Sequence, residues 1–197
     1  MSANQKKRGE NMLSVIIPAY NEEKMIQTTA DTVDRILSEA SVPYEIVFVN
    51  DGSKDGTWQQ IETAAEKNPH VNGLHFSRNF GKEAAIIAGL EKAKGDFTVL
   101  MDADLQDPPA ILPEMYEYIE QGYDSVATRR VDRKGEPPIR SFFARRFYSL
   151  MRKISKTEIV DGARDYRLMT RQVTDAILSL KEYNRFSKGI FGWVGYK

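Results

Sequence analysis

Short runs of β-branched and apolar residues recur along the chain, separated by helix-length segments whose apolar residues fall at three- and four-residue spacing. The runs Ser14–Ile17, Glu45–Val49, Val71–Phe76, Phe97–Met101 and Ser125–Thr128 predict strands buried on both faces. Between them, Glu22–Ser38, Thr57–Glu66, Glu83–Ala93 and Pro109–Gln121 predict helices. In the first of these, Ile26, Thr29, Val33, Ile36 and Leu37 share one face. This alternation predicts an α/β fold, a mostly parallel twisted sheet flanked by helices. Beyond Gly135 the alternation stops, and helices over about Ile139–Ile154 and Thr170–Leu180 are expected as a C-terminal helical appendage. The expected organisation is thus a polar, frayed tail over residues 1–11, an α/β core over 12–135 and a helical segment over 136–197.

Each predicted strand runs into polar or turn residues: PAYNE, NDGSKDG, SRNFGK, DADLQDPP and RRVDRKG. Ligands of open α/β sheets bind outside the carboxyl ends of the strands, so the candidate chemistry falls on one edge. In DADLQDPP, Asp102 and Asp104 are two positions apart and point to the same side of an extended backbone. Two hard oxygen ligands so placed suit Mg2+ or Mn2+, and Gln106 could add a carbonyl oxygen. One acid could instead cap the following helix, and Asp107 beside Pro108 and Pro109 is the better placed for that. Asp51, after a strand and before Gly52, could accept hydrogen bonds from a base or ribose, although Asn-Asp-Gly and Lys-Asp-Gly are also ordinary turn sequences. Tyr20 could pack beside a nucleobase. Glu22 and Glu23 are also explained as acids favoured by a helix dipole. Arg78 and Lys82 flank Gly81 just before a helix, a place to meet phosphate. The P-loop and dinucleotide-binding glycine patterns are absent, which weakens kinase and dehydrogenase readings.

The 197 residues are 41% hydrophobic and 28% charged, with no cysteine and no net charge, an ordinary composition that excludes disulfides and thiolate metal sites. No run approaches the roughly 20 apolar residues of a membrane span, and the polar start lacks the apolar centre of a signal peptide. The neutral total hides an asymmetry. From Arg129 to Lys156 ten Lys/Arg face two acids, a net charge of +8 that the remainder balances. Within it, PPIRSFFARRFYSLMRKI reads as an amphipathic helix that could meet an anionic membrane surface or pack on the core with a solvated basic back. Arg140 in its first turn opposes the helix dipole, and a nearby anion would remove that conflict. Asp165, in DYRLMTR between two predicted helices, could be a base, a positioning carboxylate or a partner for a neighbouring arginine. Nothing points to nucleic acid as a partner.

Taken together, SVIIPAYNEE, VNDGSKDGT, FSRNFGKEAAIIAGL, DADLQDPP and DYRLMTR, in this order and spacing, resemble the family-2 glycosyltransferases. The likeness is greatest to the branch of dolichyl-phosphate mannose synthases and bacterial polyprenyl-phosphate (bactoprenol) glycosyltransferases, and it runs from about Leu13 to the chain end. The resemblance implies a GT-A type fold and inverting transfer of a sugar from a nucleoside diphosphate sugar, with UDP-glucose or UDP-N-acetylglucosamine first, to polyprenyl phosphate. Carried over by position, Pro18, Ala19, Tyr20, Glu22 and Asp51 would hold the nucleotide, and Asp102, Asp104 and Gln106 the Mg2+ or Mn2+ and diphosphate. Lys82, Arg129 and Arg140 would address donor or acceptor phosphate, and Asp165 would sit by the reacting centre.

The resemblance also implies work at the cytoplasmic face of the cell membrane and leaves self-association open. Members of this branch continue into two membrane-spanning helices, whereas this sequence stops at FGWVGYK, so a truncated piece is expected. Rival readings are a family-2 enzyme acting on a polysaccharide or protein, a non-catalytic nucleotide-sugar sensor, and a phospho-receiver module. The last leaves Gln106 and the basic segment unexplained.

Overall fold

The computed structural model describes residues 10–129 and 163–180, whose strands form one six-stranded sheet. Strands β1 (Leu13–Ala19), β2 (Tyr44–Asn50), β3 (Val71–His75) and β4 (Phe97–Leu100) alternate with helices α1 (Ile26–Glu39), α2 (Thr57–Lys67) and α3 (Lys82–Lys92). A 3-10 turn at Pro109–Ile111 leads into α4 (Leu112–Glu120) and β5 (Ser125–Arg129), and β6 (Ala163–Thr170) runs into α5 (Arg171–Ser179). The sheet order is β3-β2-β1-β4-β6-β5. The first four strands pair in parallel, whereas β6 lies between β4 and β5 and is antiparallel to both.

The near-continuous apolar runs are explained by two covered faces. Val15 and Ile17 of β1 pack with Val33 and Leu37 of α1, Ile61 of α2 and Leu112 of α4. Ile16, Val47 and Val49 face the other way, onto Ile86 and Leu90 of α3 and Val173 and Ile177 of α5. At Gly89 a Cβ would lie 2.2 Å from the Ile16 side chain, so this close approach of α3 to β1 needs glycine. Among the described residues no helix is long and apolar enough to cross a membrane.

The chain moves outward from β1 through β2 to β3, and α3 then carries it back across to β4 on the other side of β1. The order reverses between β1 and β4, which opens a crevice at their carboxyl ends. At the opposite edge Arg171 ties α5 to the turn before β4, donating from Nε to Gly95 O (3.1 Å) and from Nη2 to Ala93 O (3.0 Å).

Three expectations need correction. The segment DYRLMTR, expected between two helices of an appendage, is largely strand β6 of the sheet: Tyr166 and Leu168 are buried on one face, and the charged Arg164, Asp165 and Arg167 obscure that period-two pattern. The first helix starts at Ile26, not Glu22, because residues 21–23 are laced to the turn after β2 instead. Asn21 N donates to Ser53 Oγ (2.9 Å), Glu22 N to Thr57 Oγ1 (2.8 Å), and Gly56 N to Glu23 Oε2 (2.8 Å). The residue capping the turn that begins at Pro109 is Pro108, without a side-chain cap, while Asp107 is buried. By contrast, α5 begins after Thr170 as expected, with the Thr170 hydroxyl accepting from Val173 N (3.4 Å). The helix expected over Ile139–Ile154 lies outside the described residues.

Candidate active site

The carboxyl ends of the parallel strands surround an open cavity of about 310 Å³. Pro18, Ala19, Tyr20 and Glu22 line it from β1 and the turn after it, Asp51 from the end of β2, Asn79, Gly81 and Lys82 from the approach to α3, and Asp102, Ala103 and Asp104 from the loop after β4.

Asp51 is 3% exposed, and its carboxylate is a clamp: Oδ1 accepts from Phe80 N (2.7 Å) and Oδ2 from Gly81 N (2.9 Å). Gly52 beside it has φ +62°, and a Cβ there would fall 2.2 Å from the Arg78 carbonyl carbon. The turn after β2 and the loop before α3 are thereby locked together. Asp51 is the expected acceptor for a base or ribose. Two of its lone pairs serve the backbone, and a carboxylate has about four such sites, so it can still present an acceptor to the cavity.

The acidic loop is held from beneath. Met101 N donates to Ile16 O (3.0 Å), and the buried Thr29 hydroxyl on α1 donates to Ala103 O (2.7 Å). Leu105 turns the chain with φ +56°, and Gln106 N donates to Asp104 Oδ1 (3.1 Å). After that turn Gln106 is exposed and lies outside the residues lining the cavity. Farther along, the Tyr166 hydroxyl donates to Pro108 O (3.4 Å). Burial, aided by the charge of Asp107, pushes the Tyr166 phenol well above its ordinary pKa.

Strand β6 delivers Asp165 to the same place. Arg167 pairs with Leu100, so two residues back along the antiparallel strand Asp165 stands beside the start of the acidic loop. Lys82 Nζ lies 2.6 Å from Asp102 Oδ1 and 3.4 Å from Asp165 Oδ2. Burial would lower the Lys82 pKa, but the two carboxylates outweigh it and hold the ammonium above the usual lysine value. For Arg167 burial wins and lowers the pKa, with Asp165 opposing the shift. Glu22 is pushed up first by burial and then by the charges of Asp104, Asp55 and Asp102.

Asp102 and Asp104 are the residues able to hold a divalent cation. Among the described residues no cluster of three or more His, Cys, Asp or Glu forms a full protein cage. Two carboxylates in a cavity that disfavours Glu22 ionisation do fit a hard cation that takes its other ligands from water and phosphate. Of the expected site residues, eight line one cavity: Pro18, Ala19, Tyr20, Glu22, Asp51, Lys82, Asp102 and Asp104. Asp165 joins them through Lys82. The Arg129 side chain and Arg140 lie outside the described structure. Asn79, Gly81 and Ala103 complete the lining. The motif SRNFGK contained the first two and DADLQDPP the third, but no side-chain chemistry singled out Ala103 between its two acids.

The model of the family described as "Glycosyl transferase family 2" matches residues 14–178. The bactoprenol glucosyl transferase of Shigella phage SfV is 42% identical over 183 residues, which are 93% of this chain and 60% of that protein. A prophage bactoprenol glucosyl transferase homolog of Escherichia coli K12 is 42% identical over 185 residues, 94% of this chain and 60% of that one. The chain thus spans less than two thirds of the length of these relatives. Among solved structures, a mannosyltransferase from Pyrobaculum calidifontis in complex with GDP-Man and Mn2+ superposes with TM-score 0.64 at 23% identity, over 94% of this chain and 53% of that one. Glucosyl-3-phosphoglycerate synthase from Mycobacterium tuberculosis, with Mn2+, UDP-glucose and glycerol 3-phosphate, does so with TM-score 0.60 at 20% identity, over 83% of this chain and 58% of that one. These likenesses establish the GT-A type α/β fold.

Proposed function

The chain belongs to glycosyl transferase family 2, and from that premise we propose that it is the donor-binding and catalytic part of an enzyme that moves a sugar from a nucleoside diphosphate sugar to polyprenyl phosphate at a membrane surface. The observation that carries this reading is the meeting of Lys82, Asp102 and Asp165, with Lys82 and Asp102 lining the same cavity as Tyr20, Glu22 and Asp51. A nucleoside would lie along Pro18–Tyr20 and Asp51, with Tyr20, 42% exposed, as the apolar surface beside the base. Its diphosphate would then extend toward Asp102 and Asp104. UDP-glucose is the preferred donor, because two relatives are named glucosyl transferases.

Asp102 and Asp104 would hold Mg2+ or Mn2+, which when bound offsets the charge that grows on the leaving diphosphate. An acceptor phosphate oxygen forms the new bond to the anomeric carbon from the face opposite the diphosphate, which departs with the electron pair of the broken bond, so configuration inverts. A phosphate monoester is largely ionised at neutral pH, its second pKa being about 6. Asp165 therefore need not take a proton, and its work is to orient the acceptor. Lys82 supplies a cation to phosphate.

Thermal melting with UDP-glucose, UDP-N-acetylglucosamine and GDP-mannose, each with and without Mn2+, tests this assignment. A UDP-sugar is expected to raise the melting temperature by several degrees only with Mn2+, since a ligand binding the native state alone stabilises it. No shift with any nucleotide sugar at millimolar concentration would reject donor binding.

A further inference from the structure

Lys82 Nζ sits between carboxylates from two different parts of the fold, Asp102 after β4 at 2.6 Å and Asp165 on β6 at 3.4 Å. The side chains are partly open to solvent, 44% for Lys82, 42% for Asp102 and 28% for Asp165, so no packing compels the ammonium to stay. Its backbone, in contrast, is fixed. Lys82 is the first residue of α3, directly after Gly81, whose N–H is held by Asp51. The anchor is rigid and the four-carbon stem is flexible.

An ammonium on Asp102 and a divalent cation on the same carboxylate repel each other strongly at such distances. Resting on the donor reading above, we infer that Lys82 is a displaceable counter-cation. Before a donor binds, its single positive charge is shared between Asp102 and Asp165 and offsets half of their negative charge. It yields Asp102 to a divalent cation only when a diphosphate offers the ammonium another anion, and the same movement releases Asp165 toward the acceptor. Cation and nucleoside diphosphate must then bind with positive coupling, each raising the affinity for the other by the same factor. Lys82 thereby makes the site selective for ligands that carry a diphosphate, because a cation alone meets an occupied carboxylate.

The test is Mn2+ binding, read from the electron paramagnetic resonance of the free ion, to the wild type, Lys82→Met and Lys82→Arg, each without and with saturating UDP. Lys82 is half-exposed, so both variants should melt close to the wild type. Lys82→Met should bind Mn2+ alone about tenfold more tightly than the wild type and gain less from UDP. Lys82→Arg keeps the charge and should follow the wild type. Equal or weaker binding of Mn2+ alone by Lys82→Met overturns the counter-cation. Tighter binding by Lys82→Met with no effect of UDP on any of the three proteins sustains the counter-cation on Asp102 and overturns both its displacement by a diphosphate and the donor reading.

Discussion

The hydroxyl of Thr29, fully buried on α1, donates to the carbonyl of Ala103 at 2.7 Å. Ala103 lies between the two acids proposed to hold the cation, so a helix residue 74 positions earlier in sequence fixes the acidic loop at its midpoint. Replacing Thr29 by Val keeps the shape and leaves that carbonyl without its donor, a loss of about 1–3 kcal/mol. Thr29→Val should lower the melting temperature and weaken Mn2+-dependent UDP binding several-fold, and Thr29→Ser should restore most of both. Calorimetry on the three proteins measures this directly. Equal nucleotide affinity in Thr29→Val would show that the loop holds its shape without the helix.

Asp51 makes a second prediction, because its two oxygens clamp the N–H groups of Phe80 and Gly81. Asp51→Asn turns one acceptor into a donor that faces an N–H. A buried mismatch of this kind costs about 1–3 kcal/mol. Hydrogen exchange at Phe80 and Gly81 should accelerate well beyond the change at β2 amides, together with loss of nucleotide affinity. Uniform acceleration across the sheet would instead mark a general loss of stability.

How much of this was legible beforehand follows from where each signal resides. Strands β1, β2 and β4 announced themselves because burial on both faces demands unbroken apolar runs, and the strand-end rule then gathered Tyr20, Asp51 and Asp102 correctly onto one edge. Strand β6 did not, since Arg164, Asp165 and Arg167 give it the composition of a loop. Its apolar positions Tyr166 and Leu168 become meaningful only once β4 and β5 flank them. The Lys82–Asp165 pair was invisible for the same reason: 83 positions separate the two residues, and only the antiparallel register brings them together. The double use of Asp51 was equally hidden, because a turn sequence does not reveal which backbone amides will approach it.

Asp104 separates site from scaffold. It is half-exposed, and among the described residues the hydrogen bond it accepts is a local one, from Gln106 N. Asp104→Ala should therefore fold with a melting temperature within about 2 °C of the wild type, yet lose Mn2+-dependent binding of UDP-glucose. Titration calorimetry with and without Mn2+ gives the answer. Undiminished Mn2+-dependent affinity would remove Asp104 from the cation site.

The converse variant lies at the opposite edge, where Arg171 supplies donors to the carbonyls of Ala93 and Gly95. Arg171→Ala strips both, and an unpaired, part-buried carbonyl costs about 1–3 kcal/mol. Denaturant unfolding should show that loss while UDP affinity under native conditions stays within about twofold, since Arg171 is not among the residues lining the cavity. A large drop in affinity would couple the two edges of the sheet.

The last prediction concerns pH and the turn after β2. Burial nudges the Asp55 carboxyl upward, but hydrogen bonds from the Thr57 hydroxyl and N–H, and from Glu23 N, outweigh it and hold the pKa below the ordinary 3.8. The charged form is thus favoured in the folded state. A carboxylate with a depressed folded pKa contributes stability that is present above its unfolded pKa and is lost as pH falls through the folded value. Asp55→Asn should therefore melt below the wild type at pH 6–7, by about 2 °C given the exposure of the site. The gap should begin to close below about pH 4 and vanish as the wild-type carboxyl becomes protonated in both states. Melting curves from pH 7 to pH 2.5 follow it. A gap that stays constant over this range would assign the effect to the shape of the turn and not to its charge. Because Thr57 Oγ1 also receives Glu22 N at 2.8 Å, the same variant should loosen the start of the cavity wall, and a weaker UDP affinity near neutral pH is the expected companion of the lower melting temperature.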